Sequence, residues 1–260
     1  MPELQSQYRD STNLNARSAI YRFGTGRGFG PGRILDLMLE TIPVDAAILE
    51  VGCGPGWMWR SNLDRVPQSW RMLLTDLTPG MTEEATAAFS SDARFSVRQM
   101  DVQTLDLPDD HFDAVIANWM LYHVEDRARA LAEIRRVLKS GGLLLAATNG
   151  DAHLATVDAL VNEYLGDASP AKGGLAFTLE NGQSQLGPFF SDIALHQGHN
   201  VLNITEAEVV VRYVLSFNEA KQTVVGDRLE ELRRRVSDEI RVAGAFVAQV
   251  HSGLFVAKKA

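Results

Sequence analysis

Cysteine is nearly missing from this chain: Cys53 is the sole thiol in 260 residues. An intramolecular disulfide is therefore impossible, and a zinc site built from cysteines alone cannot form. The six histidines include no H-x-x-x-H pair, so the usual helical metal-ligand spacing is absent too. Long apolar runs are also lacking. A run such as Leu143–Ala147 falls far short of the ~20 residues that span a bilayer. The stretch from Met1 to Asp10 holds no apolar signal core. Basic residues are outnumbered, 25 against 33 acidic, giving a net charge of −8. A chain of that sign is a poor partner for a phosphate backbone. The remainder is ordinary globular composition, 45% hydrophobic and 22% charged, enough for a full core. These features point to a cytoplasmic protein without metal, membrane or nucleic-acid partner, and leave its chemistry open.

Asn13–Phe23 and Arg33–Ile42 have helical apolar spacing, and the glycines of Gly24–Gly32 between them require a loop. From Ala46 the pattern changes. Short apolar runs at Ala46–Val51, Met72–Thr75, Arg94–Met100, Phe112–Ala117 and Leu143–Thr148 predict five strands. Helices are expected between them: over Trp57–Val66, from Pro79 toward Phe89 with Thr78 as cap, and from an Asp126 cap until Gly141-Gly142. Alternation of this kind predicts a doubly wound α/β domain, with a parallel sheet covered on both faces and ligands at the strand C-termini. Further on, helices are expected over Ala152–Leu165 and from Thr178 toward Phe189, with a loop at Gly166–Gly174 between them. Ile193–His196 and Asn200–Ile204 are strand candidates. Thr205-Glu-Ala-Glu208 fits a capping box opening a helix to Phe217. A charged helix is expected over Glu219–Val242, and a closing hairpin around Ser252-Gly253.

The chemistry is concentrated between the first strand and its helix, in Glu50-Val-Gly-Cys-Gly-Pro-Gly56. A dinucleotide fingerprint, G-x-G-x-x-G, fits Gly52 and Gly54 but meets Trp57 where the third glycine belongs. No P-loop string is present. Asp76 follows about 20 residues later at the end of the second strand, where an acid takes ribose hydroxyls. An acidic turn suits an adenosine ligand that is cationic and carries no phosphate.

The segment from Ile48 to Thr148 resembles the class I S-adenosylmethionine-dependent methyltransferases, especially the small-molecule group of quinone-biosynthesis and natural-product enzymes. The resemblance rests on six strings in family order: Ile48-Leu-Glu-Val-Gly-Cys-Gly-Pro-Gly56, Thr75-Asp-Leu-Thr-Pro-Gly-Met81, Met100-Asp-Val102, Phe112-Asp-Ala-Val-Ile-Ala-Asn118, Leu121-Tyr-His-Val124 and Arg136-Val-Leu-Lys-Ser-Gly-Gly142. It implies a Rossmann-like, mostly parallel seven-stranded sheet in a single domain. Residues 1–42 would form a helical lid, 43–150 the cofactor core, 151–245 the acceptor side and 246–260 the closing strands. It also implies S-adenosylmethionine as cofactor. Gly52, Cys53 and Gly54 would lie against its methionine part, with Glu50, Gly56 and Trp57 completing the turn. Asp76 would bind the ribose, with Leu77 and Met81 near the adenine. Asp101 would accept from the adenine amino group and Val102 touch the ring, although Asp101 also reads as a simple turn acid. Asn118 would offer its backbone carbonyl to the ammonium, flanked by Trp119. Tyr8 and Arg17 would hold the carboxylate from the lid, or else lie on an exposed surface helix.

His123, with Tyr122 beside it, is the candidate base for a hydroxyl acceptor; the other reading is a histidine bonded to backbone. Trp57, Trp59, Trp119, Tyr122, Phe189, Phe190, Tyr213 and Phe217 are candidates for an apolar acceptor pocket, half of them plain core. The resulting expectation is O- or N-methylation of a small molecule by a monomer or homodimer. Alternatives are a protein or RNA methyltransferase, or a scaffold that binds the cofactor without turnover. Against the nucleic-acid and glutamine-modifying type, Asn118-Trp-Met-Leu121 stands where those members carry Asn/Asp-Pro-Pro-Tyr. A dehydrogenase is disfavoured by Trp57.

Overall fold

A computed structural model describes residues 6–25, 28–166, 169 and 174–260. The first elements are α1 (Thr12–Ser18), a 3-10 turn (Ala19–Phe23), α2 (Pro31–Thr41), β1 (Ala47–Val51), α3 (Trp57–Arg60), β2 (Arg71–Asp76), α4 (Pro79–Phe89), β3 (Phe95–Gln99) and β4 (Phe112–Asn118). A 3-10 turn (Leu121–His123), α5 (Arg127–Val137), β5 (Leu138–Asn149), α6 (Ala155–Leu165), α7 (Gly182–Leu186) and β6 (Ser191–Ile204) follow. The last are α8 (Ala207–Val214), α9 (Asn218–Thr223), α10 (Asp227–Ala243) and β7 (Phe246–Lys258). The seven strands form one sheet in the order β3-β2-β1-β4-β5-β7-β6. The pairs β1/β2, β1/β4, β2/β3 and β4/β5 are parallel, and β5/β7 is antiparallel.

Two compact units emerge from the packing. The first comprises residues 29–150, 176–197 and 252–260. The second comprises the described residues of 1–28, 151–175 and 198–251.

In the first unit, strand side chains alternate between two cores. Ile48, Met72, Leu74, Ala114, Ile116, Leu145, Ala147 and Leu254 join α2's Ile34, Leu35 and Met38 with Trp59 and Trp70. Their neighbours Leu49, Val51, Leu73, Val115, Ala117, Leu144, Ala146 and Phe255 join α5's Leu131, Ile134 and Val137. Both faces are dry, which is why these strands read as unbroken apolar runs and not as apolar–polar alternation. Each fully buried aliphatic side chain contributes roughly 1.5–3 kcal/mol of transfer free energy.

The second unit has its own core. Val157, Leu160 and Val161 of α6 and Val210, Val211 and Val214 of α8 pack with Leu232 and Val236 of α10, and with Phe246, Ala248 and Val250.

Several sequence expectations need correction. The closing hairpin does not exist: Phe246–Lys258 is one strand, carried through Ser252-Gly253 by antiparallel pairing to β5. Gly253 serves a close approach, since a Cβ there would stand 2.5 Å from the His196 carbonyl. The two strand candidates at 193–204 are also one strand. The charged helix breaks into α9 and α10 at Gly226, whose φ of +55° no helix accommodates. Glu206, not Thr205, stands at the start of α8, with no side-chain cap. Thr78 occupies its cap position, but its hydroxyl donates to Asp76 instead of capping α4. Asp126 does cap α5, accepting from the Arg129 amide. That helix ends at Val137, before the Gly141-Gly142 pair, which lies inside β5. The Trp57–Val66 helix shrinks to one turn, α3. Residues 26 and 27 of the glycine-rich loop, and 167–168 and 170–173 of the later one, lie outside the described residues.

Candidate functional site

Gly52, Gly54 and Gly56 all adopt positive φ, +64°, +55° and +75°, a region other residues enter only with strain. The turn they form is packed tightly from within the protein. A Cβ on Gly52 would stand 2.7 Å from that of Met120, and one on Gly56 only 2.4 Å from the Phe89 ring. Part of the glycine requirement is therefore internal packing, a reason the sequence reading did not supply.

Asp76 anchors this turn. One carboxylate oxygen accepts from the Gly54 amide at 2.9 Å, and the other from the amide and hydroxyl of Thr78, both at 2.9 Å. The Cys53 amide donates to the Thr75 carbonyl at 2.9 Å. A carboxylate offers about four lone-pair sites, so Asp76 has little capacity left while it braces these groups. Cys53 itself is buried, and burial raises its thiol pKa well above the usual value. A protonated thiol in that setting is inert packing.

Glu50 points inward. It is 2% exposed and accepts from the Trp59 indole at 2.6 Å and the Asn118 amide at 3.2 Å. Burial pushes its pKa up to about 7 against those two hydrogen bonds, and the neighbouring Asp76 charge adds to the rise. Asn118, at the end of β4, also donates to the Met58 sulfur at 3.0 Å. Its Oδ1 is buried and has no hydrogen-bond partner. An unmet buried acceptor costs about 1–3 kcal/mol, so a donor belongs there. A ligand ammonium is such a donor, and its charge would favour the ionised form of the neighbouring Glu50. On this observation the residues fit S-adenosylmethionine.

The chain after β4 is strained: Trp119 has φ +51°. Its amide donates to the Ala147 carbonyl at 2.9 Å, and its indole to Asn149 at 3.1 Å. The next turn carries Tyr122 and His123 with ring centres 4.5 Å apart, and His123 is exposed. Asp101 accepts from the Gln103 amide at 2.9 Å and from the Gln103 side chain, which is the turn-acid geometry. Val102 and Met81 are buried, while Leu77 and Trp57 are half-buried. Of the pocket aromatics, Trp59 and Phe190 are buried in the two cores.

Tyr8 and Arg17 belong to the second unit. The Arg17 guanidinium lies over the Tyr8 ring at 5.2 Å and the Phe217 ring at 5.3 Å. Its Nη2 is buried without a hydrogen-bond partner.

Sequence reasoning missed Met58, Met120 and Gln103, and it gave Trp59 and Thr78 other parts, a pocket wall and a helix cap. Trp59 had a signal, an indole nine residues past a strand-end glutamate with no other partner in view. Met120 had none, because only the fold brings it over Gly52.

Residues 49–146 match the family described as Methyltransferase domain. The chain is 32% identical over 137 residues to a malonyl-[acyl-carrier protein] O-methyltransferase of Hahella chejuensis, covering 52% of this chain and 48% of that protein. It is 29% identical over 160 residues to the uncharacterized methyltransferase YcgJ of Bacillus subtilis, covering 60% of each. The chain thus spans about half the length of these curated relatives. The crystal structure of YcgJ covers 88% of this chain and 98% of its own, with a TM-score of 0.59 and 21% identity, a likeness of fold. The ordered strings, the sheet order and the glycine turn agree with that match, so residues 49–146 resemble a methyltransferase domain in both sequence and fold.

Proposed function

We propose that this protein transfers a methyl group from S-adenosylmethionine to a small-molecule acceptor, at oxygen or nitrogen. The observation that carries this reading is the buried, unpartnered Oδ1 of Asn118, held in place through its amide by Glu50. The cofactor supplies a methyl carbon already activated by its sulfonium. Asn118 and Glu50 take the ammonium, and Asp76 takes ribose hydroxyls in exchange for part of its bracing. Val102 and Met81 present apolar surface to the adenine. His123 is the base for a hydroxyl acceptor. The acidic charge of −8 supports a small-molecule acceptor over RNA. A cytoplasmic setting accords with a single cysteine, and no helix among the described residues is long and apolar enough to cross a membrane.

Calorimetric titration with S-adenosylmethionine, S-adenosylhomocysteine and NAD tests the reading. Saturable binding of the first two and none of NAD is expected. Heat with NAD alone, or with none of the three, would overturn it.

A further inference from the structure

Trp59 does more in the first unit than fill its core. It is fully buried on α3, its ring stands edge-on to Phe95 at 5.9 Å, and its indole N–H donates to Oε2 of Glu50 at 2.6 Å. A buried indole needs an acceptor, but a neutral one suffices. Trp70, also buried, donates to the Pro43 backbone carbonyl at 2.7 Å. Trp59 is matched instead with an acid, the costlier arrangement, because a carboxylate withdrawn from water must be compensated.

Glu50 is compensated only in part. Its partners are two neutral N–H groups, the Trp59 indole on Oε2 and the Asn118 amide on Oε1. Neither can accept the proton of a neutral carboxyl, so both are aimed at an anion. The titratable groups that act on Glu50 are Asp76 and Cys53, and no cation among the described residues pairs with it. Burial outweighs the two hydrogen bonds, and Glu50 keeps its proton to about pH 7. The protein thus supplies donors for an anion and leaves the countercharge to a ligand. The buried, unpartnered Oδ1 of the same Asn118 amide marks where a cationic donor belongs.

We propose that Trp59 is a positioning residue that holds Glu50 in the ionised form the cofactor's ammonium requires, so that binding of S-adenosylmethionine expels a proton from Glu50. This rests on the methyltransferase reading above. The O–H bond of the Glu50 carboxyl breaks and its proton passes to the buffer. The carboxylate keeps the indole and amide donors, while Asn118 Oδ1 accepts from the ammonium. Trp59 touches no ligand and acts through Glu50. The sign of the pH dependence follows. Below about pH 7 each binding event must displace a proton, so affinity rises with pH, approaching tenfold per unit well below 7, and levels off near 7.

The test is calorimetry on the full chain between pH 5 and 7, where the ligand's amine stays protonated. Titration with S-adenosylmethionine at pH 6, in two buffers of different ionisation enthalpy, is expected to show about one proton released per cofactor bound. Adenosine, which has no ammonium, should release none, and Glu50→Gln should abolish the release. Trp59→Phe keeps a ring against Phe95 and removes the N–H, so the ionised Glu50 loses a hydrogen bond. Affinity at pH 6 should fall about tenfold, and the levelling should move up by about one pH unit, leaving affinity still climbing at pH 7. An equal loss at every pH, with the levelling unmoved, would mark Trp59 as packing alone and overturn the proposal. So would binding without proton release, or a release that survives Glu50→Gln. A second measurement needs no substitution at Trp59: its indole N–H resonance should titrate with a midpoint near pH 7 and take its high-pH position at pH 6 once the cofactor is bound. A resonance indifferent to pH would overturn the proposal as well. Failure of the cofactor to bind at any pH would strike the methyltransferase reading, so the two failures are told apart.

Discussion

At the scale of single residues, the same side chain is often asked to hold the protein and to hold a ligand. Asp76 is the clearest case, because three protein donors already occupy its carboxylate. Asp76→Ala removes both duties. We expect S-adenosylmethionine affinity to fall at least tenfold, about 1.4 kcal/mol or more, from the loss of charge-assisted hydrogen bonds. Tm should fall as well, because the Gly54 amide loses its acceptor. Thr78→Val separates the duties: it unbinds one donor from Asp76 and leaves the carboxylate, so affinity should hold or rise while Tm drops slightly. Unchanged affinity in Asp76→Ala, measured by titration, would remove the ribose assignment. Glu50 illustrates the limit of reading acids from sequence. Its place in an acidic turn was legible, but its inward aim toward Trp59 and Asn118 required the fold.

At the scale of elements, legibility followed the source of each element's order. Strands β1, β2 and β4 came through because their apolar runs are buried on both faces, a signal written in the residues themselves. Helix α5 came through because Asp126 caps it and its apolar stripe is regular. The strands β6 and β7 did not, since their lengths are set by partners distant in sequence. Ser252-Gly253 looks like a turn locally, yet it pairs with Asn149 and Thr148 of β5 and stays extended. The glycine turn was legible as a turn and illegible as a packing device. Gly56→Ala tests the latter. Positive φ costs an alanine roughly 1–2 kcal/mol and the Phe89 contact a further 1–3. A clear drop in Tm is expected, partly restored by adding Phe89→Leu, which vacates the contact and leaves the backbone strain. Full restoration, or none, would contradict this division.

At the scale of the whole molecule, buried titrating groups decide how stability varies with pH, and here they oppose one another. Folded Glu50 keeps its proton to about pH 7, whereas in the unfolded chain the group releases it near 4.5. Between those values the folded state binds more protons, so this contribution is complete below 4.5 and is lost as pH rises through 7. Asp158 acts in the same sense between its ordinary 3.8 and about 6. His153 acts oppositely: burial lowers its pKa to about 4, so its contribution is complete above 6.5 and is lost as pH falls through 4. The acids outnumber the histidine, and the alkaline side of the stability curve should decline from about pH 5 to 7. Glu50→Gln removes the larger acid term. A rise of about 2.5 pH units corresponds to about 3 kcal/mol, which the variant should regain at pH 8 and not at pH 4. Tm measured at the two pH values checks this: the variant should melt several degrees above wild type at pH 8 and alongside it at pH 4. A gap that persists at pH 4 would show that the gain is one of packing and not of charge. The same variant should bind S-adenosylmethionine more weakly at pH 8, because the anion that costs the fold its stability is the one that faces the ligand's ammonium through Asn118.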